Sequence, residues 1–351
     1  MLFLGSGSTI LCKDSEGNRG LDGKGLAKEI LKDLNNDTEP PFNVSLMEAA
    51  EFYSAVRASA RRGLDDLICD LLSDLMPTIG HYIAAAFPWC SVITTNYNTV
   101  VEDAWGTANA AGYSIRHAIS IGTDSALGDY SGNNTSMRIY KPHGCINNQG
   151  DGNSQPPELV DTQRLIITSN DYYRSQNIRK EIYNEIKKDA AVSTMLFIGY
   201  SLEDYTFRNM FYQLHSLLAT WNSKSYSVGP DDQPLRFQWR SESVRENFKS
   251  TLVNDNFDTF MLRLTIAQGY VHPKLRSLIK DKWAEIENEN TNTIGGLKLS
   301  DITNLPDPPL YPGKLANQDL HLTTSSKLFS KSFPANKVFF INVFLAFARV
   351  K

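Results

Sequence analysis

The chain has 351 residues, 41% of them hydrophobic, and its 35 basic and 39 acidic side chains leave a formal net charge of −4. That length and apolar content suffice for one large domain or two ordinary ones. With no basic block longer than Arg61-Arg62, the charge balance argues against a protein that coats duplex nucleic acid, although a local basic patch stays open.

In chain order, residues 1–4 form a short apolar run ending in Gly5-Ser6-Gly7-Ser8, the pattern of a strand followed by a glycine turn. Leu26, Ile30, Leu31 and Leu34 then recur at helical spacing. After Pro40-Pro41, residues from about 46 to 87 read as helix-rich, with Leu64, Leu67, Ile68, Leu71, Leu72 and Leu75 on the 3.6-residue period. Pro77 and Pro88 punctuate that stretch. Strands then alternate with helices. Strands are predicted at 91–95, 115–121, 138–141, 165–168 and 193–199. Helices are predicted at 99–110, from 171 to about 188, and from about 204 to 220. Residues 257–264 read as a further strand and 273–286 as a helix. This rhythm predicts an α/β fold, a Rossmann-like parallel sheet with helices on both faces and a helical insertion at about 42–88.

The predicted catalytic domain spans 1–287. From 288 the sequence turns polar ("ENENTNTIGG") and then proline-rich ("NLPDPPLYPG"), which reads as a linker, and it closes on "KVFFINVFLAFARV". That last run is too apolar to sit exposed, so 288–351 is the candidate assembly element, as a buried edge strand or an oligomer contact. Residues 338–350 are also too short to span a bilayer, and no charged-then-apolar leader opens the sequence, so a cytoplasmic protein is expected. Cys12, Cys69, Cys90 and Cys145 lie far apart with no CxxC pair, which gives neither zinc-ribbon spacing nor a disulfide framework.

The predicted strands share one feature: each of four ends in a polar motif. Residues 1–4 end in Gly5-Ser6-Gly7-Ser8, and 91–95 end in Asn96. Residues 138–141 end in Pro142-His143-Gly144, and 193–199 end in Tyr200-Ser201-Leu202-Glu203-Asp204. In an open parallel sheet the carboxyl ends of the strands share one rim, where ligands bind. The Gly5–Ser8 turn suits an anion, since its backbone N–H groups and serine hydroxyls can hold a pyrophosphate, with an ordinary turn as the alternative. It is no Walker loop, because Lys13 does not complete that pattern.

In this order the motifs resemble the sirtuin superfamily. "LGSGST" is similar to its first glycine turn, "TTNYN" to its T-[QT]-N-x-D strand end, "KPHG" to its HG motif and "GYSLEDYTFRNMF" to its G-x-S-L-x-D segment. The resemblance covers about residues 1–285. Deacylase sirtuins carry a four-cysteine zinc module between the HG and G-x-S motifs, where this chain has Cys145 alone. They also carry a GIPDFR-type loop, where this chain reads "TILCKDSEGNRG". The resemblance therefore points to the prokaryotic sirtuin-like NAD hydrolases of antiphage defence, which share the TTNY and GYSL variants and use no metal.

What the resemblance implies can be placed residue by residue. Asn96 would hold the ribose or the attacking water, and His143 would be the base, its ordinary pKa of about 6.5 leaving a neutral fraction at cytoplasmic pH. A carboxamide donates and accepts at once without adding a buried charge. Asn98 stands where the family usually has an Asp against the nicotinamide carboxamide. Gly5, Ser6, Gly7, Ser8, Thr9 and Thr95 would meet the cofactor around the glycine turn. Gly199, Ser201 and Asp204 would line the adenosine–phosphate side, with helix capping as the other role for Asp204. Arg138 and Lys141 alternate along a strand, which suggests surface or core-edge places.

Relatives of this kind act with partners. A homo-oligomer and a HerA-type ATPase are the expected assembly, ahead of a short Argonaute or another phage sensor. Two other classes are compatible with the sequence: a module that senses NAD or ADP-ribose without turnover, and a nuclease-associated subunit of an ATPase complex. His81, His117, His215, His272 and His321 show no ligand spacing, and Phe207, Met210, Phe211 and Leu214 read as core.

Overall fold

The computed structural model describes residues 1–36, 38, 42–57, 60–114, 118–122, 136–146, 165–200, 208, 212, 225–231, 233–289 and 296–308. The chain divides into two compact units. The first comprises Met1–Thr78, Trp89–Gly106 and Arg116–Asn254, and the second Ile79–Pro88, Thr107–Ile115 and Asp255–Lys351.

The first unit is built on a seven-stranded sheet in the order β3-β4-β2-β1-β5-β6-β7. Its strands are β1 (Leu2–Leu4), β2 (Ser91–Thr94), β3 (Ala118–Ile121), β4 (Met137–Tyr140), β5 (Met195–Ile198), β6 (Ser225–Val228) and β7 (Ser250–Val253). Every pairing is parallel. The α/β, Rossmann-like expectation is therefore met. The central strands β1, β2 and β5 are buried along their whole length, as a parallel sheet covered by helices requires.

On one face Phe3, Ile93, Tyr140 and Phe197 pack with Ile182, Tyr183 and Ile186. Those last three lie on α7 (Lys180–Ala191), which follows α6 (Ser169–Ile178). Before the second strand come α1 (Gly23–Leu34), α2 (Leu46–Val56) and α3 (Ala60–Leu72), and their leucines form a separate core with Tyr97, Leu165 and Ile167. Local chemistry starts these helices. The Asp22 carboxylate accepts from the Gly25 N–H at 2.8 Å, the Ser45 hydroxyl from Glu48, and Thr168 forms a capping box with Asp171.

Several expectations are corrected. Residues 165–168 form no strand; they run as a buried irregular segment whose Ile166 N–H donates to the carbonyl of His143 at 2.9 Å. The helix expected from 171 to 188 is interrupted at Arg179, which ends α6 and begins α7. The sequence did not suggest β6, β7 or α8 (Pro234–Phe248) between them. Of the helix expected over 204–220 only Arg208 and Tyr212, both helical, are among the described residues, and the apolar run at 338–350 lies outside them.

The second unit is helical in its described part, with α4 (Ile79–Ala85), the end of α5 (Val100–Ala110), α9 (Phe257–Gln268), α10 (Pro273–Glu289) and α11 (Leu299–Thr303). Residues 257–264, expected as a strand, lie in α9. The Asn256 side chain caps its first turn, accepting from the Thr259 N–H at 2.9 Å, and Gly269 ends it with φ +84°. No helix among the described residues is long and apolar enough to cross a membrane.

Two ionisable groups in this unit are held away from their ordinary pKa in opposite directions. Burial pushes His81, edge-on to Phe257 with ring centroids 4.7 Å apart, down to about 3. Burial pushes Asp255 up to about 7 against the opposing pull of Arg263 at 3.5 Å. Below an unfolded value of about 6.5 the unfolded chain protonates His81 and the folded chain does not, so this group removes stability as pH falls. Asp255 keeps its proton in the folded state up to about 7 and loses it near 3.8 when unfolded, so it removes stability as pH rises across that window. Between about pH 4 and 6.5 the two slopes cancel. Asp255→Asn should then be more stable than the wild type at pH 7. Urea denaturation from pH 7 to 4 should show that advantage shrinking by up to about 1.4 kcal/mol per pH unit. An advantage independent of pH counts against this assignment.

Candidate functional site

Strand order reverses around β1: the chain first builds outward through β2 and β4, then returns to place β5 on the other side. Such a switch point opens a crevice at the carboxyl ends of the strands. Here the turns after β1 and β5 are locked together. Gly5 N donates to Ile198 O at 3.0 Å and Gly7 N to Gly199 O at 2.9 Å. A Cβ on Gly5 would stand 2.4 Å from the carbonyl oxygen of Gly199, and one on Gly7 2.8 Å from its Cα.

The glycines in this turn are thus demanded by backbone packing. Ser8 N and its hydroxyl both donate to Gly5 O, while Thr9 N and its hydroxyl donate to Ser6 O. The Ser8 and Thr9 hydroxyls and most N–H groups that an anion cradle would use are engaged within the protein.

The strand end after β2 answers why two amides sit there. Asn96 Nδ2 donates to Gly5 O at 3.1 Å, which ties the lip of β2 to the turn after β1. Its own backbone N–H is held by the Thr94 hydroxyl at 3.1 Å. Asn98 Oδ1 accepts from the Val100 N–H at 3.4 Å in an Asx turn that leads into α5. Both amides are buried.

Residues Lys141 to Gly144 form a β-turn closed by Gly144 N to Lys141 O at 2.9 Å. Proline at its second position and glycine at its fourth are the residues such a turn favours, and Gly144 takes φ +90°. The turn delivers His143 to the carboxyl end of β4. The imidazole packs edge-to-face with Tyr172 of α6, with centroids 5.3 Å apart at 85°. The two loops and the 165–167 segment are interlaced, since Ile146 N donates to Tyr97 O at 2.9 Å and the Tyr97 hydroxyl to Ile166 O at 2.7 Å.

Arg61 of α3 anchors the same segment through the carbonyl of Leu165 and the carboxylate of Asp171. Burial pushes the Asp171 carboxyl up, but Arg61 and the Thr168 N–H bond outweigh it and hold the group below its ordinary value.

A cavity of about 220 Å³ opens at this junction. Of the predicted residues, Gly5, Ser6, Thr9, Thr95, Asn96, Asn98, His143 and Gly199 line it, whereas Gly7 and Ser8 do not. Ser201 and Asp204 lie outside the described residues. Asn96 and His143 thus reach one hollow from different strands.

Its other wall was not anticipated: Leu21, Asp22, Leu26, Leu72 and Tyr172 give it an apolar side with one carboxylate. Asp22 carried a signal, as a helix-capping type four residues before the periodic Leu26. Tyr172 carried none. Arg138 takes the core-edge place expected of it and pairs with Glu185 and Asp189. Lys141 does not: it is fully buried, because β4 lies inside the sheet between β2 and β3. Among the described residues no group of His, Cys, Asp and Glu is placed to hold a metal ion.

Residues 90–263 match the family model of the SIR2-like domain. The match supports a sirtuin-like assignment for the stretch from the start of β2 into α9, which carries Asn96, Asn98, His143 and Gly199. It stops short of the glycine turn after β1, which the sheet places beside them. A comparison with curated proteins finds no match.

Proposed function

We propose that the cavity binds NAD and hydrolyses it to nicotinamide and ADP-ribose. One observation carries this reading: an amide and an imidazole from two different strand ends line one hollow at the switch point of a SIR2-like sheet. A SIR2-like domain points to NAD-related enzymes in general, and the residue chemistry suits glycosidic cleavage.

The reaction breaks the bond between the ribose C1′ and the pyridinium nitrogen through an oxocarbenium-like transition state. The bonding pair returns to the ring nitrogen, so nicotinamide departs neutral and no strong acid is needed. Water oxygen forms the new bond to C1′, and His143 accepts the proton on an imidazole nitrogen. Asn96 orients the ribose hydroxyls or the water, its own position fixed by the bond to Gly5 O. The apolar side formed by Leu26, Leu72 and Tyr172 suits an uncharged aromatic leaving group.

The biological setting we propose is bacterial antiphage defence by NAD depletion, ending in abortive infection. Unrestrained, such an enzyme would poison its own cell. Activity is therefore held in check by homo-oligomer assembly or by a partner, with a HerA-type ATPase ahead of a short Argonaute or other phage sensor, and 288–351 is the proposed assembly element. A non-catalytic NAD or ADP-ribose sensor is the second reading, favoured by the Asn98 side chain, which is engaged in its own turn. Purified protein, alone and with the product of the adjacent gene, incubated with NAD and followed by chromatography separates the two. Stoichiometric nicotinamide and ADP-ribose support hydrolysis, and binding of ADP-ribose without turnover in either preparation supports the sensor.

A further inference from the structure

Two cations stand behind the cavity without lining it. Lys141 and Arg179 are both fully buried. The Lys141 ammonium donates to the carbonyl of Asn98 and ion-pairs with Glu102 at 3.1 Å. Ser120 Oγ donates to the same Glu102 oxygen at 2.9 Å. Arg179, at the break between α6 and α7, donates through Nη1 to the carbonyls of Lys141 at 3.2 Å and Pro142 at 2.7 Å. These carbonyls belong to residues past the ends of β2 and β4, and that of Lys141 also accepts the Gly144 N–H that closes the turn.

Burying two charges is costly, and a well-packed apolar cluster at such a place is often at least as stable. What the cations add is geometric: charge-assisted bonds are shorter and about twice as strong as neutral ones. Lys141 fixes the Asn96–Asn98 loop from below, and Arg179 fixes the two residues that precede His143.

We propose that Lys141 and Arg179 are positioning residues, setting Asn96 and His143 at the separation the reaction needs. This rests on the reading of the cavity as a hydrolytic site. Misplacement by about 1 Å is enough to lose a factor of about 100 in rate.

The test uses the full chain. Lys141→Met combined with Glu102→Gln removes the ion pair together and leaves no lone buried charge. Arg179→Lys keeps the charge of Arg179 but loses its fork, and Arg179→Met loses both. Nicotinamide release gives kcat and KM, and the nitrogen-15 spectrum of His143 reports its surroundings whether or not the protein turns over. For the double variant, kcat should fall about 30–100-fold with KM within about threefold, and the His143 signals should shift. Arg179→Lys should retain more activity than Arg179→Met.

A kcat within about threefold of wild type together with unmoved His143 signals overturns the proposal. If the wild type releases no nicotinamide, the hydrolytic reading fails, while the His143 signals of the variants still decide positioning. Should the double variant not fold, Arg179→Lys, which keeps a charge at that place, carries the same readouts with an expected loss of about fivefold. No loss and no shift there overturns the proposal equally.

Discussion

His143→Ala should lower nicotinamide release from NAD by about 10²–10⁴-fold, the range of a positioned general base. Binding of ADP-ribose should be nearly unchanged, because the imidazole acts on the water rather than on the nucleotide. The fold should tolerate the change. The turn that carries His143 is closed by backbone groups and by Pro142 and Gly144, and the His143 carbonyl keeps its bond from Ile166.

Asn96→Ala should behave differently. It removes the orienting amide and also the 3.1 Å bond to Gly5 O, so a rate loss comes with about 1 kcal/mol of destabilisation. Kinetics of both variants beside a chemical denaturation series separate the two cases. Activity of His143→Ala within threefold of wild type would remove the imidazole from the mechanism.

The parts of the site that were legible in the sequence are those where local pattern and global position agree. β1, β2 and β5 are short apolar runs that stop abruptly at polar or glycine residues, so both the strands and their carboxyl ends could be read. Lys-Pro-His-Gly announces a turn by its own chemistry.

What was missed lacks that agreement. β6 is Ser-Tyr-Ser-Val, and its buried Ser225 hydroxyl is satisfied by the carbonyl of Phe248 at 3.3 Å, a long-range partner that no local pattern reveals. α8 is polar nearly all round, burying only Val244 and Phe248, so it shows little helical period. α9 fails for the opposite reason. Nearly all of its residues are buried, which erases the period and leaves an apolar run of strand-like appearance. Lys141 was misplaced because its counter-ion Glu102 and its acceptor, the Asn98 carbonyl, come from another segment of the chain.

Gly199→Ala should be among the most damaging single-methyl changes in the first unit. Gly199 has φ +60°, and a side chain in that left-handed region costs about 1–2 kcal/mol by itself. Its Cβ would lie 2.3 Å from Ser8 N and 2.4 Å from Gly7 C, both backbone atoms that cannot rotate away. Forcing the two turns apart adds about 1–3 kcal/mol, for a total of about 2–5 kcal/mol and a fall in Tm of about 5–15 °C. The displaced turns carry Gly5 and Ser6 on the cavity wall, so affinity for ADP-ribose should fall with stability rather than independently of it.

Gly106→Ala is the matching control. That glycine is exposed in the interior of α5, a Cβ there meets nothing within 4 Å, and alanine should stabilise the chain by about 1 kcal/mol. Calorimetry on the pair gives shifts of opposite sign if the turns after β1 and β5 pack as described. A Gly199→Ala protein that melts with the wild type would mean that these two backbones do not touch.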